Sequence, residues 1–216
     1  MNLEQARFNM IEQQIRTWDV LDPVVLDLLH RVPREDFVPS AYQGLAFADL
    51  EIPLGHGQMM LSPKLEARML QALDLKKTDT VFEIGTGSGY MTALLASLAD
   101  HVYSVELLQE LSHGAAQKLA THQITNVTLE VGDGTRNWDA GRYDAIVITG
   151  SMPVLPDEFQ QHLKPGGRLL AIIGEAPTME AVLVTCVEDN VFRRTVLFET
   201  AIPALENAPQ AEQFTF

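Results

Sequence analysis

Val81-Phe82-Glu83-Ile84-Gly85-Thr86-Gly87-Ser88-Gly89-Tyr90 is the stretch on which the fold turns. A short run of apolar and β-branched residues, suited to a buried strand, meets three glycines at alternate positions and then an apolar segment with helical character, Tyr90–Leu98. Glycines in such a bend permit positive φ and remove Cβ atoms, so backbone amides can approach a ligand closely. The spacing differs from a dinucleotide fingerprint, because Tyr90 stands where that motif needs its third small residue. No Gly-Lys-Ser/Thr follows, which excludes a P-loop.

Outward from this bend the chain alternates. Strands are expected at Thr80–Ile84, His101–Glu106, Val127–Val131, Tyr143–Thr149 and Arg168–Ile173, with helices at Tyr90–Leu98, Leu108–Thr121 and Pro156–Leu163 between most of them. Such alternation predicts right-handed βαβ units, hence an α/β fold with a doubly wound, mostly parallel, Rossmann-like sheet. After Gly174 the pattern changes. Ala181–Val187 and Val191–Thr200 flank Glu188-Asp189-Asn190 and read as a C-terminal antiparallel hairpin on one sheet edge. Upstream, Ala6, Met10, Ile11 and Ile15 form a helical stripe, and Asp22-Pro23 is a natural start for a second helix ending near Pro33. Gly44 through Pro63 is too irregular to assign as helix or strand, and long irregular connections often carry function. One domain spans 1–216: an N-terminal helical extension and acceptor loop (1–63), a βαβ core (64–174), and antiparallel strands with a tail (175–216).

The strand ends suggest the ligand. Glu106 closes the second strand about twenty positions after Gly85, where an acid can accept bonds from both hydroxyls of a ribose. Gly132-Asp133-Gly134 places a second acid at the end of the third strand, suited to an adenine amino group, and Thr149-Gly150 ends the fourth. Glu83, inside the first strand, is placed to balance an ammonium or to order the loop. Either acid alone has a structural explanation, as a helix cap or a turn stabiliser. Acids at successive strand ends beside a glycine bend point instead to S-adenosylmethionine, with Glu83, Gly85, Thr86, Gly87, Ser88, Glu106, Leu107, Asp133, Gly134 and Thr149 as the cofactor-binding set.

Charge and composition narrow the class. The 216 residues carry 15 Lys+Arg against 29 Asp+Glu, a formal charge of −14, which argues against a nucleic-acid partner. Hydrophobic residues at 46% supply a real core. The longest uncharged apolar stretches, such as Ala145–Pro156, are shorter than the ~20 residues of a membrane span, so no membrane partner is expected. Met1-Asn2-Leu3-Glu4-Gln5 lacks the features of a signal peptide, and the single Cys186 cannot form an internal disulfide; both point to a cytoplasmic location. The histidines match no metal spacing, so no metal is expected.

These residues together resemble a class I methyltransferase, and more specifically the protein-L-isoaspartate O-methyltransferase family. The resemblance spans nearly the whole chain. Val32-Pro33-Arg34-Glu35-Asp36-Phe37-Val38 matches the family's segment before the catalytic domain, and Ile52-Pro53-Leu54-Gly55-His56-Gly57-Gln58 matches its entry to the active-site loop. Glu83–Tyr90 is similar to its cofactor loop, Val105-Glu106 to its ribose-binding strand end, and Gly132-Asp133-Gly134 to its adenine site. Leu163-Lys164-Pro165-Gly166-Gly167 is a turn shared by many methyltransferases. The resemblance implies methyl transfer to the free carboxylate of isoaspartyl residues in damaged proteins or peptides, by a soluble, metal-free enzyme.

One departure stands out. After Gly57-Gln58 the family reads Thr-Ile-Ser-x-Pro, with the serine at the acceptor site, whereas this chain reads Met59-Met60-Leu61-Ser62-Pro63. Aligned on Gln58 and Pro63, Leu61 takes the serine's place. Two readings of Ser62 stand: the N-cap of a helix over Lys64–Leu75, or a catalytic serine shifted by one residue. Met59, Met60 and Leu61 likewise read either as packing or as a reshaped, more apolar acceptor pocket beside Gln58. Arg31, Arg34, Lys64 and Arg68 concentrate near this loop, either to attract a peptide carboxylate or as ordinary cations on helix faces. Three activities follow: isoaspartyl methylation, methylation of another carboxyl or hydroxyl acceptor, or cofactor binding without turnover.

Overall fold

The computed structural model describes residues 2–136 and 141–210. The chain opens with α1 (Leu3–Met10), which runs into a π turn at Ile11–Ile15 and a 3-10 turn at Arg16–Trp18. Helix α2 (Pro23–Arg31) starts as its sequence demands: the Asp22 carboxylate accepts the Val24 N–H at 2.7 Å and Pro23 occupies the first turn. Met10, Ile11, Ile15, Leu28 and Leu29 are all buried, each contributing roughly 1.5–3 kcal/mol through removal from water. The extension is therefore part of the main core, packed with residues of the central sheet, rather than an accessory to it.

The stretch left unassigned from Gly44 to Pro63 contains structure. Strands β1 (Ile52–Gly55) and β2 (Gln58–Met60) form a two-stranded antiparallel ribbon. Its turn is built from Gly55, His56 and Gly57, all at positive φ. Strands this short, one interrupted by Pro53, carry too little alternation to be legible as a pattern.

Helix α3 (Pro63–Leu73) leads to the large sheet, formed by β3 (Thr80–Ile84), β4 (His101–Glu106), β5 (Val127–Val131), β6 (Tyr143–Met152), β7 (Leu163–Glu175), β8 (Thr178–Glu188) and β9 (Val191–Thr200). Its order is β5-β4-β3-β6-β7-β8-β9. The first five strands in that order are parallel, and β8 and β9 are antiparallel additions beyond β7. Helices α4 (Tyr90–Leu98), α5 (Gln109–Thr121) and α6 (Asp157–Gln161) connect the parallel strands. Alternate residues serve opposite faces: Val81, Ala145, Val147, Leu170 and Ile172 join one apolar cluster, while Phe82, Ile146, Ile148, Leu169 and Ala171 join the other.

The doubly wound sheet and the C-terminal hairpin are as expected. Strand β6 runs three residues beyond its expected end at Thr149, because Ser151 exchanges backbone hydrogen bonds with Pro203 and Leu205. Chain order leaves β3 in both directions, towards β4 and β5 on one side and β6 and β7 on the other. This switch point opens a crevice at the carboxyl ends of the strands.

Candidate active site

The main cleft lies in that crevice. Gly85 and Gly87 of the glycine loop, Glu106 and Leu107 after β4, Asp133 and Gly134 after β5, and Thr149 of β6 line one part of it. Gln58, Met59 and Leu61 line another. Met60, Thr86 and Ser88 border a smaller adjoining cleft. Glu83 and Ser62 line neither.

Glu106 holds the glycine loop in place. Its Oε2 accepts the Gly87 N–H at 2.8 Å and its Oε1 accepts the Leu108 N–H at 3.1 Å, so one carboxylate ties the loop to the start of α5. A carboxylate has about four lone-pair sites, which leaves capacity for ligand hydroxyls. Asp133 takes Thr135 N–H and Oγ1–H on Oδ1 and the Asn207 amide on Oδ2. Burial opposes its charge, but the bonds from Thr135 and Asn207 outweigh burial and hold its pKa below the ordinary carboxylate value. Gly134 is required by space: a Cβ there would stand 2.6 Å from side-chain carbons of Ile84 and Val105. Gly85, at φ +93°, faces the Thr149 hydroxyl, which donates within reach of the Ile84 and Gly85 carbonyls at 2.8 and 2.6 Å.

Glu83 lies beneath the loop, fully buried. Its Oε2 accepts from Thr92 at 2.5 Å and Ser104 at 2.6 Å, and Ser104 in turn meets Thr86 at 2.6 Å. Burial pushes its pKa up to about 8 despite the two hydroxyl donors. Through Ser104, which meets Thr86, Glu83 is linked to the glycine loop from below.

On the acceptor side, Ser62 occupies the N-cap position of α3 with Pro63 in the first turn, but its hydroxyl closes no capping bond. Leu61 lines the cleft, and its carbonyl accepts from Arg34 Nη2 at 2.6 Å. Arg34 is buried to 1% exposure; it also donates to the Ala46 carbonyl at 2.9 Å and pairs with Glu66. It is neither a surface cation nor a lure for substrate, and the packing of α3 on the extension decides this. Arg31 pairs with Asp27, Lys64 with Asp49, and Arg68 stacks on Phe198 at 4.1 Å. His56 meets Glu110 at 2.7 Å in the exposed hairpin turn.

Two contributions escaped the sequence. Lys118 of α5 reaches the Phe37 carbonyl at 2.8 Å and the Ser88 carbonyl at 3.3 Å, coupling the extension to the glycine loop. The segment Pro203–Glu206 lines the cleft, anchored by Ser151, and Leu205 packs near Gly85 and Gly150. Residues 211–216 lie outside the described residues.

Residues 5–202 match the family model described as protein-L-isoaspartate(D-aspartate) O-methyltransferase. The chain belongs to the protein-L-isoaspartate O-methyltransferase family. It is similar to the protein-L-isoaspartate O-methyltransferase of Syntrophus aciditrophicus, with 39% identity over 87% of each chain. The protein-L-isoaspartate O-methyltransferase 1 of Rhodopseudomonas palustris shares 43% identity over 78% of this chain and 69% of its own. A putative family member from Plasmodium falciparum, solved with S-adenosyl-L-homocysteine, has the same fold: TM-score 0.80 at 19% identity, covering 95% of this chain and 99% of that one. As a family member the chain is an O-methyltransferase whose methyl donor is S-adenosylmethionine. Among the described residues no helix is long and apolar enough to cross a membrane, and no group of three or more His, Cys, Asp or Glu is placed to hold a metal ion.

Proposed function

We infer that this chain methylates the free carboxylate of isoaspartyl residues in damaged proteins or peptides. The observation that carries the reading is a single cleft lined both by the glycine loop, Glu106 and Asp133 and by Gln58, Met59 and Leu61 of the acceptor segment. The residues suit the donor: two acids at successive strand ends for sugar and base, and a loop whose Gly85 and Gly87 stand at positive φ with no Cβ in the way. When bound, S-adenosylmethionine supplies a methyl group already activated on a sulfonium.

The chain's own task is then alignment and exclusion of water. Glu106 fixes the loop, Leu61 and Met59 border the acceptor side with apolar surface, and Arg34 holds the Leu61 backbone. A carboxylate acceptor, with a reference pKa near 4, is ionised at neutral pH and needs no general base. Among the described residues that line the main cleft the ionisable ones are Glu106, Asp133 and Glu206, with no histidine or lysine placed to act as a general base. A cytoplasmic repair role accompanies this reading, supported by the free, buried Cys186.

One observation favours a second reading. Leu61 lines the cleft while Ser62 does not, so the hydroxyl that the family offers its acceptor is missing from the cleft wall. A different carboxyl or hydroxyl acceptor with an apolar flank fits that wall. Methyl transfer from labelled S-adenosylmethionine to matched isoaspartyl and aspartyl peptides separates the two. Methylation of the isoaspartyl peptide alone supports repair; methylation of neither directs the search to the second acceptor class.

A further inference from the structure

The smaller cleft is continuous with the main one, sharing Leu54, Met59, Leu61, Gly85, Gly87 and Thr149. Among the described residues Glu66, in the first turn of α3, is the one ionisable group on its wall. Its side chain is 3% exposed. Oε2 pairs with Arg34 Nη1, and no hydrogen bond among the described residues reaches Oε1. Arg34 gives Glu66 only Nη1, while its Nε and Nη2 donate to the Ala46 and Leu61 carbonyls.

Charge is also out of balance here. Burial pushes Glu66 up to about 7 even with Arg34 beside it. Glu83, whose Oε1 is buried without a partner, is pushed up to about 8, with Glu66 contributing to that rise. Of these two buried acids only Glu66 is paired with an arginine. A cation brought to the smaller cleft relieves Glu66, and the surrounding Met59, Met60, Leu61 and Met91 suit a short methylene chain attached to it.

We propose that Glu66 binds the α-ammonium at the amino-acid end of the methyl donor, through the carboxylate oxygen that Arg34 leaves open. This rests on the reading that the nucleoside occupies the main cleft at Glu106 and Asp133. A molecule so placed has its amino-acid chain next to Gly85 and Gly87, where the smaller cleft leads to Glu66. An ammonium brings three donors and a full charge, and a half-satisfied buried carboxylate is the acceptor that gains most from it.

The test is calorimetric and needs no turnover. S-adenosylhomocysteine carries the nucleoside and the amino-acid chain; 5′-methylthioadenosine carries the nucleoside and sulfur without that chain. Glu66→Gln should weaken S-adenosylhomocysteine at least tenfold and leave 5′-methylthioadenosine within about twofold. Equal loss for both ligands, or loss for neither, overturns the proposal. A second measurement uses the unaltered protein: the desamino analogue of S-adenosylhomocysteine should bind at least tenfold more weakly than the parent, and equal affinity overturns the assignment even where the variant fails to fold. If the unaltered protein binds neither S-adenosylhomocysteine nor 5′-methylthioadenosine, the nucleoside reading itself fails and takes this inference with it.

Discussion

Arg34 donates from Nη2 to the carbonyl oxygen of Leu61 at 2.6 Å, so a buried guanidinium from the N-terminal extension fixes the backbone of the acceptor loop. The same side chain pairs with Glu66 on α3. One residue therefore joins the extension, the loop and the helix that follows it.

Replacing Arg34 by leucine leaves Glu66 buried without its counter-charge. Breaking such a pair from one side costs about 3–5 kcal/mol. Glu66, whose ordinary pKa burial has raised to about 7, escapes part of that cost by taking up a proton. Urea denaturation of Arg34→Leu should therefore show a larger loss of stability on the alkaline side of neutrality than on the acid side. A loss independent of pH would separate the role of Arg34 from the charge on Glu66.

Glu106→Ala removes the acceptor for the Gly87 and Leu108 N–H groups as well as the expected ribose contacts. Hydrogen bonds to charged groups contribute roughly 1.5–3 kcal/mol each, and about 1.4 kcal/mol corresponds to tenfold in affinity. Calorimetry with S-adenosylhomocysteine should show binding weakened by about tenfold to a hundredfold. Far-ultraviolet circular dichroism should remain that of a folded chain. Unchanged affinity would remove Glu106 from the sugar site.

Much of this was legible because local pattern and tertiary role coincide. Thr80–Ile84, Tyr90–Leu98, His101–Glu106 and Val127–Val131 begin and end where their apolar runs do, so their ends deliver Gly85, Glu106 and Asp133 to one edge. Three features were not legible. The β1–β2 ribbon is too short to show a period, and its turn relies on a positive φ at His56 that its sequence does not announce. Arg34 looks like any charged residue until α3 places Glu66 against it, a contact across 32 positions. Leu205 reaches the cleft only because Ser151 captures the backbone after β9, a pairing with no local signature.

The buried Glu83 gives stability a pH dependence of definite sign. Its folded pKa, about 8, lies above the unfolded reference of 4.5, so the folded state holds the proton more tightly. The stabilisation is fully present below about 4.5 and is lost as pH rises through about 8. Glu83→Gln stays neutral while its carbonyl oxygen can still accept from Thr92 and Ser104. Urea midpoints across this window should fall less with rising pH in Glu83→Gln than in the unaltered chain, with Glu66 and Glu51, both also raised by burial, contributing to the slope that remains. Parallel curves would mean that Glu83 is charged in the folded state throughout.

Leu61→Ser addresses the acceptor directly. Leu61 is 5% exposed and lines both clefts, so its replacement removes apolar contacts as well as adding a hydroxyl. Large-to-small changes at buried leucines typically cost about 2–5 kcal/mol, which makes a thermal melt a necessary companion measurement. The Arg34 bond is made to the backbone carbonyl, so the loop's anchor survives the substitution. A serine hydroxyl at this place can donate to a carboxylate, which the leucine cannot, and the methylation rate of an isoaspartyl peptide should rise several-fold in the folded variant. If the rate instead stays flat while S-adenosylhomocysteine still binds, the hydroxyl is not what limits this acceptor. The apolar wall made by Met59 and Leu61 would then have to be read as fitted to a different one.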